Sequence, residues 1–449
     1  MRKLLLLLVL AAIAGGAVFS WPRLEGEAPT ITAPARVALG TGGARVEVEW
    51  ADAQTGLRSV EAFLEVDTDA RPLLTRSLHA RAWPGALLAG AADRQTNERV
   101  EIALDPKTLA VPDGPATLVL RASDWAWSDF FAGNQAELRV PVVVDTAPPR
   151  IASDTGLTYA TRGGSAVAVY RVSADTVRHG VRVGDAFFAG TTLADDREAC
   201  IYALPIDVEP GTVPVVVATD EAGNEATVRL AVRVKDVSFP TVPISLSQRF
   251  LDNVAAEFGD GGDAVATFRR VNEELRVTSE QTIRGAVGAP TPRRFRGAFE
   301  QMANSKVTSD FAELRHYTVD GQRVSQARHY GFDLASTAHA PITASNDGVV
   351  VFAGPNGIYG NLVMLDHGLG VTSLYGHLSS IDVAVGDDVL KGRELGRSGA
   401  TGLAGGDHLH FAILVGATYV DPREWWDAKW VREHVDALIA PDALASTGP

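Results

Sequence analysis

The chain has 449 residues, of which 46% are hydrophobic and 21% are charged, a balance that is ordinary for folded soluble domains. This length predicts about three domains, each able to bury a core. The formal net charge of −14 gives no basic face that could neutralise phosphates, so nucleic acid is excluded as a partner. Cys200 is the single cysteine, which excludes an intrachain disulfide.

The N-terminus predicts export. Arg2 and Lys3 precede a run of apolar and small residues from 4 to 19, which is the pattern of a segment that enters the membrane with its positive end inside. Residues 1–24 are therefore a cleaved signal peptide or an uncleaved anchor that spans residues 4–21. Both alternatives place the rest of the chain in the periplasm or cell envelope, and the anchor would add the cytoplasmic membrane as a partner.

The chain that follows predicts two β-sandwich domains, residues 27–146 and residues 147–235. Short alternating apolar segments divided by Gly, Pro, Asp and Asn are typical of antiparallel sandwiches. A weak internal repeat indicates two modules, since each contains an aspartate followed by a Gly-Asn pair: Asp124 with Asn134, and Asp220 with Asn224. This ending resembles bacterial immunoglobulin-like domains, which commonly act as spacers or adhesive modules. We expect these domains to extend and position the chain and to contain no catalytic residues.

Residues 236–289 predict a short helical linker or lid. Ser247 and Asp263 are each followed by apolar residues at helical spacing, as N-cap residues are. The acidic, glycine-rich stretch 259–263 between the two helices lacks the ligand pattern of a calcium loop and predicts a plain turn. The helices either pack on a neighbouring domain or cover a functional groove.

Residues 290–430 contain the side chains that are best suited to chemistry. Five of them stand in three short blocks: His329 and Asp333 in His-Tyr-Gly-Phe-Asp, His377 in Tyr-Gly-His-Leu, and His408 and His410 in Asp-His-Leu-His-Phe. Two imidazoles and one carboxylate make a ligand set that suits zinc and leaves a coordination position for water. Two histidines would then remain for proton and oxyanion chemistry.

The spacing within the blocks indicates how they could form one site. On a strand, His408 and His410 would point to one side while Leu409 is buried on the other. His329 and Asp333 are four residues apart, as on a helix face, but the glycine and apolar residues around Asp333 favour a loop that enters a strand.

From about residue 311 to 422 the sequence resembles the lysostaphin-like zinc metallopeptidases, endopeptidases that cut the peptide cross-links of bacterial peptidoglycan. The resemblance rests on the three blocks above and on flanking blocks of the same family: residues 344–350, 360–363, 366–368, 386–389 and 391–392. It implies one Zn²⁺ per catalytic domain with three ligands: His329, Asp333 and His410. It also implies two catalytic histidines that do not bind the metal: His377 and His408.

Two further residues are possible substrate-binding groups. Tyr375 would share a strand face with His377, where a phenol could bind substrate, although strand tyrosines mostly serve packing. Asn361 matches a family position that shapes the groove, but an asparagine after a glycine is also ordinary turn chemistry.

The expected fold is mainly β: two immunoglobulin-like sandwiches, a short helical segment, an antiparallel β-sheet metallopeptidase domain, and a C-terminal tail at residues 431–449. The resemblance implies a zinc endopeptidase that hydrolyses amide bonds in peptidoglycan stem peptides or cross-links. Two alternatives stay open. One is a non-catalytic envelope protein that binds peptidoglycan or activates a partner hydrolase, and the other is a zinc peptidase that acts on envelope proteins.

Overall fold

The computed structural model describes residues 7, 9–16, 24, 26–78, 95–259 and 262–439. Within these ranges no helix has both the length and the apolar character needed to cross a bilayer. Most of the expected signal peptide or anchor lies outside the described residues, as do Asp260 and Gly261 of the predicted turn and the expected tail beyond residue 439. The chain divides into two compact units: residues 1–149 with 219–225, and residues 150–218 with 226–449.

The first unit contains two sheets around one apolar core. One sheet has three strands, in the order Thr30–Thr32, Ala44–Ala51, Asn97–Leu104. The other has five, in the order Val37–Leu39, Gln135–Val144, Gly114–Asp124, Leu57–Val66, Asp69–Ser77. Short helices span Pro106–Leu109 and Ser128–Phe131. Alternate residues of Ala44–Ala51 are buried, including Trp50, as expected for a strand with one face on a core.

The second unit begins with two four-stranded sheets and a parallel pair. The first sheet is ordered Thr191–Thr192, Glu198–Ala203, Ser165–Val172, Ile151–Ser153, and the second is ordered Ala186–Ala189, Thr176–Val183, Val215–Asp220, Glu225–Arg229. The parallel pair is Thr158–Thr161 with Val232–Lys235. The expectation of a mainly β chain with short helices is confirmed.

The Asp-Asn repeat has a local structural cause. The Asn134 side-chain amide donates to Asp124 Oδ2 at 2.9 Å, and the Asn224 amide donates to Asp220 Oδ2 at 2.8 Å. In both turns the other aspartate oxygen accepts the asparagine backbone N–H. A side chain that satisfies backbone donors in a turn explains why the same two residue types recur.

The helical segment, which we define as residues 248–286, has the predicted caps. Ser247 Oγ accepts from the Phe250 N–H, and Asp263 accepts from the N–H groups of residues 265 and 266. Its elements are Gln248–Phe258, Ala264–Arg270, a π-helical turn Val271–Leu275, and Arg276–Ala286. Leu251, Val254 and Phe268 are buried, so the apolar stripe packs on the core of the second unit.

The rest of the second unit is built on an antiparallel eight-stranded sheet, which we call the site sheet. Its order is Lys306–Ser309, Phe332–Ala335, Leu409–Val415, Val371–Leu378, Asn361–Asp366, Gly348–Pro355, Asp388–Val389, with Thr418–Val420 paired to Leu409–Val415. Beside it lie two three-stranded sheets: Thr241–Ser245, Leu314–Val319, Gln322–Arg328; and Pro341–Thr343, Glu394–Arg397, Ser380–Ile381. A 3₁₀ turn spans Gly357–Tyr359.

The C-terminal residues are helical up to the end of the described chain. The elements are Pro422–Trp426, Ala428–Val431, a π-helical turn Arg432–Asp436, and Ala437–Ile439. Trp425, Val431 and Val435 are fully buried. The first nine residues of the expected tail, 431–439, therefore form an ordered helix that packs on the core.

Candidate metal centre

The register of the site sheet brings three of the predicted residues together. Phe332–Ala335 pairs with Leu409–Val415 so that Asp333 stands opposite His410. His329 follows the strand Gln322–Arg328, and a two-residue turn returns the chain to Asp333. Gly331 in that turn has no room for a side chain, since an added Cβ would lie 2.8 Å from His410 Nε2. The loop entering a strand, predicted for His329 and Asp333, is the arrangement found.

Three ligand-type atoms converge at one point. His329 Nε2 lies 3.0 Å from Asp333 Oδ1, His410 Nδ1 lies 3.1 Å from the same oxygen, and the two ring nitrogens are 3.0 Å apart. All three residues are at most 9% exposed. Burying a carboxylate between two imidazoles removes all three from water, which is stabilising only if a shared proton or a cation sits among them.

Neighbouring groups orient His329 and Asp333. The Asp310 carbonyl can only accept, so His329 Nδ1 donates to it at 2.9 Å, and the lone pair of the neutral ring is then on Nε2, facing Asp333. Arg315 Nη2 donates to the other oxygen of Asp333, Oδ2, at 2.7 Å. Burial alone would raise the pKa of Asp333, but the surrounding histidines outweigh it and hold this pKa well below the usual range.

His410 differs from His329 in its outer nitrogen. Its Nε2 is buried and has no hydrogen-bond partner among the described residues. Burial lowers the pKa of His410 to about 4, so the ring is neutral at neutral pH. The neutral ring is the form in which histidine binds metals, through the nitrogen that carries no proton.

His377 departs from regular strand geometry. It lies near the end of Val371–Leu378 with a φ of 64°, a left-handed conformation that is uncommon for residues other than glycine. Its Nδ1 donates to the Thr401 carbonyl at 2.8 Å, which leaves Nε2 for the cavity, and burial lowers its pKa to about 3. Its ring centroid is 4.8 Å from that of His408. Residues in such strained conformations concentrate at functional sites.

His408 immediately precedes the strand Leu409–Val415 that contains His410, and it forms an isolated bridge with Gly399. Its Nδ1 donates to the Gly406 carbonyl at 2.8 Å, and its Nε2 lies 3.5 Å from Asp333 Oδ1. Burial opposes protonation of His408, but the hydrogen bond and charge of Asp333 outweigh it, so its pKa is raised. His377 and His408 thus have opposite pKa shifts although both hold Nδ1 on a backbone carbonyl.

The donor set fits zinc. Two neutral imidazoles and a carboxylate are a common three-residue set for a catalytic zinc ion, and zinc bonds of about 2.0–2.1 Å place tetrahedral ligand atoms roughly 3.3 Å apart. The three atoms here are 3.0 to 3.1 Å apart, so a small adjustment would seat the ion. Asp310 and Arg315 supply the outer contacts that orient metal ligands.

Tyr375 and Asn361 are not among the side chains that line the cavity at this centre. The Tyr375 hydroxyl is buried, accepting from Ser345 N–H at 2.8 Å and from the Ser373 hydroxyl at 2.9 Å. The Tyr375 ring contacts Phe411, its partner in the sheet register, whereas the His377 ring lies beside those of His408 and His410, so the two side chains do not lie together. The Asn361 amide donates to the Leu378 carbonyl at 3.0 Å, which ties it to the backbone beside His377.

A cavity of about 120 Å³, the site cavity, opens beside the five predicted residues. Its remaining lining includes residues to which the sequence analysis assigned no role: Arg276, Arg315, Tyr317, Tyr330, Ile358, Tyr359 and Leu403. Arg276 belongs to the helical segment. Hydrogen bonds also join the helical segment to the rim of the cavity. Glu257 accepts one from the Gly402 N–H, and Glu280 accepts one from the Tyr359 hydroxyl. Such contacts join residues far apart in the chain, so no local spacing could have predicted them.

Comparison with known proteins places one family on this region. Residues 327–422 match the model of Peptidase family M23. The DD-carboxypeptidase/endopeptidase Mpg of Neisseria meningitidis serogroup B is 37% identical over 123 residues, 27% of this chain and 27% of Mpg. The peptidoglycan DD-endopeptidase ShyA of Vibrio cholerae is 38% identical over 110 residues, 24% of this chain and 25% of ShyA. The chain thus matches about a quarter of the length of these relatives.

Solved structures were compared as well. The catalytic domain of lysostaphin from Staphylococcus simulans is 30% identical, with a TM-score of 0.25, and the match covers 29% of this chain and 98% of that domain. A peptidase M23 structure from Pseudomonas aeruginosa is 24% identical, with a TM-score of 0.37, and covers 58% of this chain and 93% of that one.

Proposed function

We propose that the peptidase family M23 domain of this chain, residues 327–422, is a zinc-dependent endopeptidase that hydrolyses amide bonds in peptidoglycan stem peptides or cross-links. The observation that carries the proposal is the convergence of His329 Nε2, Asp333 Oδ1 and His410 Nδ1 within 3.1 Å of one another. Two further histidines line the same cavity. A buried three-ligand centre with adjacent proton carriers is what hydrolysis of an amide requires.

The protein residues divide the chemistry between them. A bound zinc would supply an activated water and polarise the scissile carbonyl. His408 is the proton carrier, since Asp333 raises its pKa and its Nε2 faces that carboxylate. His377 stays neutral, because burial depresses its pKa, and since its proton is on Nδ1, its Nε2 can accept a hydrogen bond. Arg315 holds Asp333 so that one oxygen faces the centre.

The substrate class is supported by the relatives. Mpg and ShyA are named for DD-endopeptidase activity, and ShyA for peptidoglycan. By similarity we place this chain in the bacterial envelope, after export directed by residues 1–24, with residues 4–21 as an anchor if they are not cleaved. Residues 27–146 and 147–235 are spacer domains in this proposal, 236–289 is a helical element beside the site, and 290–430 is the catalytic domain.

Two alternatives remain for experiment. A non-catalytic envelope protein that binds peptidoglycan or activates a partner hydrolase would not need both non-ligand histidines, yet His377 and His408 both line the cavity. A zinc peptidase that acts on envelope proteins would use the same five residues. Only the substrate distinguishes that alternative from the peptidoglycan endopeptidase proposed above.

A substrate comparison tests the proposal. The full chain is incubated with dye-labelled purified peptidoglycan and, separately, with dye-labelled casein, and the released dye is measured. We expect release from peptidoglycan that is lost with a chelator and restored by zinc, and little release from casein. A His408→Ala variant controls for a contaminating hydrolase. Release from casein alone would support the protein-directed alternative, and binding of peptidoglycan without release would support the non-catalytic one.

A further inference from the structure

Arg276 is a cation in the site cavity that neither the metal centre nor the proposed chemistry uses. It lines the cavity together with His329, Asp333, His377 and His410. It also lies close enough to Tyr359 for its charge to act on that phenol, whose ring centroid is 5.3 Å from that of His410. Residue 276 lies outside the matched residues 327–422, so the family match says nothing about it.

The fold fixes the position of Arg276. Its Nε donates to the Asn272 carbonyl at 3.1 Å, and its Nη2 donates to Asn272 Oδ1 at 2.7 Å. Asn272 is 1% exposed and is held in turn by a bond from its amide to Ser325 Oγ at 2.8 Å. Arg276 directly follows the π-helical turn, and its N–H bonds to the Val271 carbonyl five residues back. Single π turns inside helices are frequent at functional sites.

The charge of Arg276 has no counterion among the described residues. Arg315, the other arginine of the cavity, is paired with Asp333 at 2.7 Å and lies 3.6 Å from Glu313. Glu280, one turn along the helix from Arg276, is occupied by the hydroxyls of Tyr359 at 2.6 Å and Tyr419 at 2.9 Å. A guanidinium held in a narrow cavity with spare donors is suited to a carboxylate supplied by a ligand.

We propose that Arg276 binds a free α-carboxylate on the substrate residue that contributes the nitrogen of the scissile amide. This inference rests on the proposed function and names the feature that the site recognises. In a cross-link made through meso-diaminopimelate, the carbon that bears the amide nitrogen also bears a carboxylate. In a cross-link made through lysine, that carbon bears none. A terminal D-alanine has a carboxylate in the same position relative to the amide nitrogen, so Arg276 would also bind a pentapeptide stem.

The test uses substrates that differ in this carboxylate. We measure kcat/KM of the full chain for a diaminopimelate-linked dimer, a lysine-linked dimer, and a stem pentapeptide that ends in D-alanine. Arg276→Gln is expected to lower kcat/KM for the diaminopimelate-linked dimer by about 10- to 100-fold, the loss typical of a charged hydrogen bond. The lysine-linked dimer should change less than about twofold by the same reasoning. Arg276→Lys should lower this kcat/KM less than Arg276→Gln does, because lysine keeps the positive charge but lacks the paired N–H donors of the guanidinium.

A control and a binding measurement separate the outcomes. Arg249→Gln makes the same chemical change on an exposed position of the helical segment and should alter none of the rates. Binding of both dimers is measured by calorimetry on the full chain with His408→Ala, with and without Arg276→Gln. Equal losses for both dimers with Arg276→Gln, in rate or in binding, would overturn the inference. Absence of cleavage by the wild type would overturn the proposed function. The effect of Arg276→Gln on the binding of the two dimers would then still test whether Arg276 binds the carboxylate.

A loss confined to one carboxylate-bearing substrate identifies the source of the anion. If kcat/KM for the pentapeptide and not for the diaminopimelate-linked dimer depends on Arg276, the residue binds the carboxylate at a chain terminus. If kcat/KM for that dimer depends on it, the residue binds the carboxylate beside the cross-link. Either result supports carboxylate recognition, whereas dependence of neither contradicts it.

Discussion

Asp333 is bonded on both of its oxygens, so the proposed metal centre also contacts a residue outside the three proposed ligands. Oδ1 faces His329 and His410, while Oδ2 accepts from Arg315. The sequence blocks singled out five residues that the structure brings to one cavity, because their types and short spacings are typical of a metal-dependent hydrolytic site. They did not identify Arg315 as the partner of Asp333, because that contact depends on how a separate hairpin packs against the site sheet.

At the residue scale, the ligands and the proton carriers should separate experimentally. His410→Ala removes a ligand atom and should abolish stoichiometric zinc, measured by atomic absorption, together with activity. His408→Ala should keep zinc and lose about 10²- to 10⁴-fold in kcat, the usual contribution of acid–base catalysis. A His408→Ala protein that loses its zinc would contradict the assignment of His408 as a non-ligand.

Arg315 gives a second prediction at this scale. Arg315→Gln removes the donor to Asp333 Oδ2 and should weaken zinc affinity by about 10- to 100-fold, as is typical for outer contacts of metal ligands. Competition with a chromophoric chelator measures the affinity. Arg323→Gln, an exposed arginine in the neighbouring strand, is the matched control. Equal zinc affinity in the two variants would show that Arg315 does not support the centre.

At the element scale, the helical segment is tied to the site by a shared carboxylate. Glu280 accepts from the hydroxyls of Tyr359 and Tyr419, both of which are buried. The caps at Ser247 and Asp263 could be predicted, since capping is local. The π-helical turn and the Glu280 contacts could not, because they depend on tertiary packing.

Glu280→Ala should therefore destabilise the protein by about 1–3 kcal/mol, the cost of leaving buried hydroxyls without their acceptor. Denaturant unfolding measures the change in the free energy of unfolding. Glu274→Ala, at an exposed position of the same segment, should change it by less than about 0.5 kcal/mol. The same loss in both variants would mean that the effect comes from helix propensity rather than from the two tyrosines.

The C-terminal helix supplies a pH-dependent prediction. Glu424 accepts from the Ser165 N–H at 2.7 Å, and burial raises its pKa from 4.5 to about 8. In the folded state it therefore keeps its proton up to about pH 8, whereas the unfolded chain releases the proton above about pH 4.5. Between these values the unfolded state binds fewer protons, so this group lowers stability as pH rises.

Glu424→Gln cannot ionise and should lack this loss. The difference in the free energy of unfolding, variant minus wild type, should increase steadily from pH 5 to pH 8, measured by denaturant unfolding at each pH. A difference that stays constant over this range would show that Glu424 is ionised in the folded protein.

At the scale of the whole molecule, the family match covers residues 327–422, yet the site cavity also uses Arg276 and Arg315 from outside it. The mainly β character and the position of the region that matches Peptidase family M23 could be predicted from strand patterns and motif blocks. Continuation of the C-terminal helix through residues 431–439 could not, because its burial depends on the core beneath Val431 and Val435. The immunoglobulin-like character of the two sandwiches stays a prediction.

The central claim is that the three-ligand centre holds zinc and that the zinc protein opens peptide bonds of peptidoglycan. The most direct measurement is mass spectrometry of muropeptides after purified peptidoglycan is digested by the wild type, the chelated protein, the zinc-restored protein and His408→Ala. The account predicts new amine and carboxyl termini at one kind of peptide bond, produced only by the wild type and the zinc-restored protein. Termini that are unchanged by zinc removal, or muropeptides that stay intact with all four samples, would contradict it.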